Sequence, residues 1–137
     1  MCRICLRGIS QKTIALILLV FSNGCTIEDR ATPDFQAVRN ILLLHRAQDR
    51  FLANFGRYGT LRDLGPDGAR FIEHELASGA SEGYKITMTL NKQGYVIQAR
   101  PMRWGESGRR SFYSDQSRVI HQVWTNEAAN ATSEELK

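Results

Sequence analysis

Between Phe35 and Phe55 the apolar residues Phe35, Val38, Ile41, Leu44, Ala47/Gln48, Phe51 and Phe55 advance by three or four positions, whereas from Tyr84 onward they recur at every second position. A step of three or four is the face of a helix and a step of two is the face of a strand, so the chain must change from one to the other. The helix has its punctuation. Thr32-Pro33-Asp34 supplies a hydroxyl cap, a proline at the first helical position and an acid in the first turn, and Gly56 supplies the stop. Leu42 and Leu43 widen the apolar stripe, while Arg39, Arg46, Asp49 and Arg50 fall outside it. Arg57–Pro66 reads as a loop with one turn around Thr60–Leu64, and Ala69–Ser78 as a short second helix before Gly79. Tyr84, Ile86, Met88 and Leu90, the turn Asn91-Lys92-Gln93-Gly94, and then Tyr95, Ile97 and Ala99 make a β-hairpin. A second hairpin is expected from Arg110–Ser114 and Arg118–Trp124 around Asp115-Gln116-Ser117, and Asn126–Lys137 is expected to fray. The fold class is therefore α+β: one long N-terminal helix packed on a four-stranded antiparallel meander, with a short helix in the connection. Phe35, Ile41, Leu44, Phe51 and Phe55 are the expected core of that packing.

Length and composition agree with one such domain. The chain has 137 residues, 42% of them hydrophobic and 23% charged, which excludes disordered and fibrous classes. No cysteine follows Cys25, so the folded part must hold together by packing and not by disulfides.

The N-terminus reads as an export signal. Arg3, Arg7 and Lys12 precede the apolar run Thr13–Phe21 (TIALILLVF), and small residues follow. The run is far shorter than the roughly 20 residues a membrane-spanning helix requires. Gly24-Cys25 resembles the end of a bacterial lipobox, with Ser22 where Leu is usual, and this resemblance implies lipidation of Cys25; ordinary cleavage near Gly24 is the alternative. Cys2 and Cys5 form a C-x-x-C pair, but they lie in the segment expected to be removed. The expected organisation is a signal peptide over 1–24, a lipid anchor and tether over 25–32, a globular domain over 33–124 and a flexible tail over 125–137. All 14 acids lie beyond Lys12, so from Cys25 onward the charge is 15 minus 14, or +1, and the formal +4 belongs mostly to the signal.

Several segments together resemble the globular domains of type IV pilin-like proteins and pseudopilins. They are Ile41–Phe51 (ILLLHRAQDRF), Tyr58-Gly59-Thr60-Leu61, Glu75–Gly79, Gly83–Ile86, Gly94-Tyr95-Val96, Ala99-Arg100-Pro101, Gly108–Tyr113 and Asp115-Gln116-Ser117. The resemblance covers roughly residues 34–121 and implies the C-terminal half of a helix packed on an antiparallel sheet of about four strands. Pilins carry a long hydrophobic helix with Glu at its fifth position; here the fifth residue after Gly8 is Thr13 and the apolar run is short. The chain thus looks like a pilin headgroup behind a lipoprotein-type signal.

Motifs of catalysis do not emerge. His45, His74 and His121 lack the spacing of a helical metal site, and neither a G-x-S-x-G setting nor a glycine-rich phosphate loop occurs. Glu106 and Asp115 lie in expected loops, and one sheet under one helix is expected to offer little concavity. No enzyme activity, cofactor, metal or small-molecule substrate is expected. Arg100, Arg103, Arg109, Arg110 and Arg118, interleaved with Trp104, Phe112, Tyr113 and Trp124, form the candidate interaction patch. Such interleaving suits single-stranded nucleic acid, but no motif of a nucleic-acid fold accompanies it, so the favoured expectation is arginines lying over aromatics on a solvated sheet and no nucleic-acid partner. The expectation is a non-enzymatic, exported lipoprotein on the periplasmic or outer face of the cell envelope. It would be held to the membrane by a lipid on Cys25 and would contact other proteins through its pilin-like domain. The alternatives are a minor pseudopilin-like subunit of a type II secretion or type IV pilus system, and a DNA-binding accessory acting through the arginines.

Overall fold

A computed structural model describes residues 32–137, so the signal segment 1–24, Cys25 and the tether up to residue 31 lie outside the described residues. Helix α1 runs over Pro33–Phe55. Thr32 caps it by accepting from the Phe35 N–H at 3.3 Å. Gly56 ends it at φ +68°, a left-handed conformation that glycine adopts without cost, and its N–H donates to Leu52 O at 2.8 Å.

The connection differs from expectation. The expected turn around Thr60–Leu64 is the single helical turn α2 (Leu61–Leu64), but the helix expected over Ala69–Ser78 is reduced to another single turn, α3 (His74–Ala77). Thr60 and Asp63 form a reciprocal capping box at the start of α2. The stretch between the turns is held open because the N–H groups of Phe71 and Ile72 both donate to Leu64 O, at 2.8 and 3.2 Å, and Arg70 adopts φ +58°. Those bonds compete directly with a helical ladder, which therefore starts only at His74.

The sheet has six antiparallel strands, not the expected four, in the order β1-β2-β3-β4-β5-β6. They are β1 (Ala80–Ser81), β2 (Tyr84–Leu90), β3 (Tyr95–Pro101), β4 (Ser111–Asp115), β5 (Ile120–Val123) and β6 (Glu134–Glu135). The two additional strands are the two-residue edges, too short to display a period of two. β6 also corrects the expectation of a frayed tail. Glu134 and Glu135 pair with Gln122 and His121, and Ala129 is buried. The stretch between β5 and β6 crosses the sheet face turned away from α1. There the His121 ring meets Ser133 O at 2.8 Å, Gln98 donates to Ala129 O at 3.4 Å and Ser111 donates to Thr125 O at 3.4 Å.

The core lies between α1 and the other sheet face. Tyr84, Ile86, Tyr95, Ile97, Ala99 and Phe112 meet Ala37, Ile41, Leu44, Ala47 and Phe51, all buried. Each large apolar side chain removed from water contributes about 1.5–3 kcal/mol. Phe35 and Phe55, expected in this core, are both 57% exposed. The buried stripe is turned instead toward Ala37, Asn40, Ile41, Leu44, His45, Ala47, Gln48 and Phe51. Gln48 is accommodated there because its amide both donates to Gly59 O at 2.6 Å and accepts from Gly59 N–H at 3.0 Å.

Candidate functional site

The first turn of α1 collects the loops at one pole of the domain. The Asp34 carboxylate accepts from the Arg109 N–H at 3.1 Å, from Arg110 Nε at 3.3 Å and from the Tyr84 hydroxyl. Burial on its own would raise the Asp34 pKa, but these donors and the Arg110 charge outweigh it and hold the carboxyl below its ordinary value. Burial and the neighbouring carboxylate push the Tyr84 phenol up. Gly108 has to be glycine here, since a Cβ would run into the Tyr84 ring. Arg110 continues the network, donating to Gln122 Oε1 at 3.1 Å and lying 4.9 Å from the Trp124 ring and 5.4 Å from that of Phe112.

The five arginines singled out in the sequence are therefore not one surface. Arg103 and Arg109 sit exposed in the loop between β3 and β4, and Arg110 is drawn under Trp124 at the same pole. Arg100 projects from β3 onto the face away from α1, directly opposite Lys85, and donates to Asn126 O. Arg118 lies in the turn between β4 and β5 at the other pole, paired with Asp49. Three of the five already face a carboxylate, Arg103 with Glu106, Arg110 with Asp34 and Arg118 with Asp49. Pairing of this kind offsets the charge a polyanion would need.

Halfway along α1 the buried His45 joins helix to sheet. Its Nε2 lies 2.8 Å from Ser114 Oγ and its Nδ1 2.7 Å from Tyr95 Oη. Ser114 donates its only hydroxyl hydrogen to Val119 O at 2.8 Å, so it must accept from His45 Nε2–H, which leaves Nδ1 to accept from Tyr95. The ring is thus neutral. Burial, with Arg118 adding to it, lowers the His45 pKa, and burial pushes that of Tyr95 up to about 12. A serine fully buried with its hydrogen directed away from the histidine is no nucleophile, and this trio acts as a fastening.

A second feature escaped the sequence reading, which expected little concavity. A cleft of ≈ 350 Å³ opens beside α1, lined by Asn40, Leu43, Phe71, Ile72, Leu76 and Ser81, with Glu73 and Glu75 at its rim. Arg50 stacks on Phe71 at 4.4 Å and steadies that wall. Asn40 is 8% exposed, and its amide nitrogen is buried with no hydrogen-bond partner. An unmade bond of this kind costs about 1–3 kcal/mol. The sequence did carry a trace of it, since Asn40 is the polar residue standing between Ala37 and Leu44 on the buried stripe. Nothing in a linear pattern reveals that the amide lacks an acceptor.

Among the described residues no three His, Cys, Asp or Glu side chains gather as metal ligands, and no helix is long and apolar enough to cross a membrane. No family model, curated protein or solved structure matches the chain.

Proposed function

We propose that the chain is a non-enzymatic, exported envelope protein, anchored through a lipid on Cys25, whose pilin-like domain contacts a partner protein through the cleft beside α1. The observation that supports this reading is the unpartnered Asn40 amide in an apolar cleft with an acidic rim. Those features describe the occupant: an exposed segment of another chain with a main-chain carbonyl for Asn40, an apolar side chain against Leu43, Phe71 and Leu76, and a lysine or arginine for Glu73 or Glu75. Such a segment satisfies the buried donor and offsets one of the rim charges. A reaction has no comparable support, because the carboxylates of the cleft stand at its exposed edge and the one hydroxyl in its lining, Ser81, is accompanied by no histidine or lysine.

A photo-crosslinking side chain placed at Leu43 in the full-length protein tests this in cells, with the same group at Thr87, on the other face of the sheet, as control. A defined adduct from position 43, absent from position 87 and abolished by Glu73→Lys with Glu75→Lys, is expected. Identical adducts from both positions, or one indifferent to the charge reversal, would refute it. The anchor has a separate test: Cys25→Ala or globomycin moves a lipid-anchored chain out of the mature membrane fraction, whereas an unchanged distribution removes the lipid.

A further inference from the structure

We propose that the pole at which α1 begins rests on the phospholipid surface, with Trp104 and Trp124 seated at headgroup depth. Four large apolar side chains stand exposed there: Phe35 at 57%, Met102 at 53%, Trp104 at 37% and Trp124 at 61%. They come from three separate places in the chain, the start of α1, the β3–β4 loop and the end of β5. The Asp34 network brings them together, because it ties the first turn of the helix to Arg109 and Arg110, and Arg110 to Trp124. The loop itself is closed on β2 through the Met102 N–H, which donates to Gly83 O at 2.8 Å. Apolar side chains exposed in scattered positions are ordinary, but tryptophan is the residue type that seeks the boundary between water and acyl chain. Both tryptophans of the protein are on this pole. The exposed apolar residues elsewhere, Leu42, Leu43, Leu52, Phe55, Leu90 and Val119, include no tryptophan.

The position of the anchor selects the membrane over any other occupant, and to that extent the inference rests on the proposed lipid at Cys25. The described chain enters the domain at Thr32, at this same pole. The seven residue-to-residue steps from Cys25 to Thr32 reach at most about 25 Å. An anchored domain therefore keeps this end within about 25 Å of the bilayer. The opposite end of α1 stands about 34 Å further out, from the rise of 1.5 Å per residue. The cleft lies beside α1, with Asn40 and Leu43 on its wall and none of Phe35, Met102, Trp104 or Trp124 lining it. Charge has a secondary part. Lys85, Arg100, Arg103, Arg109 and Arg110 share the pole and its neighbouring strand ends with Asp34, Glu82, Glu106 and Glu127. The near balance means that aromatic partitioning carries the contact, so raising the salt concentration leaves it largely in place.

Because Trp104 and Trp124 are the only tryptophans, intrinsic emission reports on this pole alone. The full-length lipidated protein is reconstituted into phosphatidylethanolamine–phosphatidylglycerol vesicles, together with its single-tryptophan variants Trp104→Phe and Trp124→Phe. Blue-shifted emission, quenching by shallow brominated lipid and protection from iodide are expected for both tryptophans, and Met102→Ser should reduce all three effects. A protein that sediments with the vesicles while both tryptophans remain open to iodide and untouched by brominated lipid overturns the inference and spares the anchor. A protein that stays in solution overturns both. Protection from iodide that appears only with native envelope membranes, without quenching by brominated lipid, means that a protein covers the pole, and this too overturns it.

Discussion

The long helix is fastened to the sheet by two tyrosines, Tyr84 at the start of β2 and Tyr95 at the start of β3, and their partners on the helix are chemically unlike. Tyr84 meets a carboxylate, Asp34, whose charge is balanced by Arg110 in a setting still in touch with solvent. Tyr95 meets a neutral imidazole, His45, whose other nitrogen is taken by Ser114 in the fully enclosed middle of the helix–sheet contact. The difference follows from the cost of moving charge out of water. At the pole the remaining solvation lets an ion pair persist, whereas in the interior an isolated charge would be too costly and the polar link has to be neutral. A third link, Arg118 with Asp49, has the same chemical composition as the pair at the pole. Its side chains are 59% and 43% exposed, against 20% and 16% for Arg110 and Asp34.

The enclosed link has the largest expected effect. His45→Ala removes packed volume and strands the Tyr95 hydroxyl, so it should lower unfolding free energy by about 3 kcal/mol in a urea titration. A loss no larger than that of an exposed surface substitution would mean that the imidazole bonds contribute nothing. Asp34→Ala comes next, at about 2 kcal/mol, because it leaves the partly buried Arg110 without its counter-ion. The same variant should loosen the β3–β4 loop, visible as faster amide exchange at Arg109.

Titration separates the two fastenings by pH. The His45 pKa lies below its ordinary 6.5, so as pH falls beneath that value the unfolded chain takes up a proton that the folded ring refuses, and stability declines toward the folded pKa. The Asp34 pKa lies below its ordinary 3.8, so its contribution is complete above that pH and disappears in the more acidic range. Thermal melts across pH 4–7 should therefore show a slope that His45→Gln abolishes and Asp34→Asn leaves intact. The reverse result would exchange the two assignments.

Asn40 is the contrasting case, a buried polar residue on the same helix face whose amide nitrogen has no partner. Asn40→Leu should stabilise the isolated domain by about 1 kcal/mol while weakening crosslinking from the cleft. A destabilisation would show that the amide is satisfied in solution. The smallest effect belongs to Arg118→Ala, about 0.5 kcal/mol or less, as exposed ion pairs typically show.

Much of this was legible in the residues and some was not. The cap at Thr32, the proline at the first helical position and the stop at Gly56 bound α1 closely, since each acts through the backbone within a few residues. The face that α1 buries was not readable to the same degree. Phe35, Leu42, Leu43, Leu52 and Phe55 are as apolar as the residues inside, and an apolar residue on every side of a helix leaves its rotation undetermined. The arginine patch divided for a related reason. Arg118 is near Arg110 in sequence, but β4 runs the length of the sheet between them and delivers them to opposite poles.

The sequence by itself determined the change from helix to strands, the position of both hairpins and the need to hold together without a disulfide among the described residues. These depend on local backbone preference and side-chain period, which a linear chain displays. Only the tertiary structure decided that the sheet gains two edge strands, that the C-terminal stretch crosses its outer face, that His45 is a neutral link and that Asn40 is left without an acceptor. Each of those outcomes depends on what distant parts of the chain bring to the same few ångströms, and burial and hydrogen bonding acquire their energy only once those parts have met.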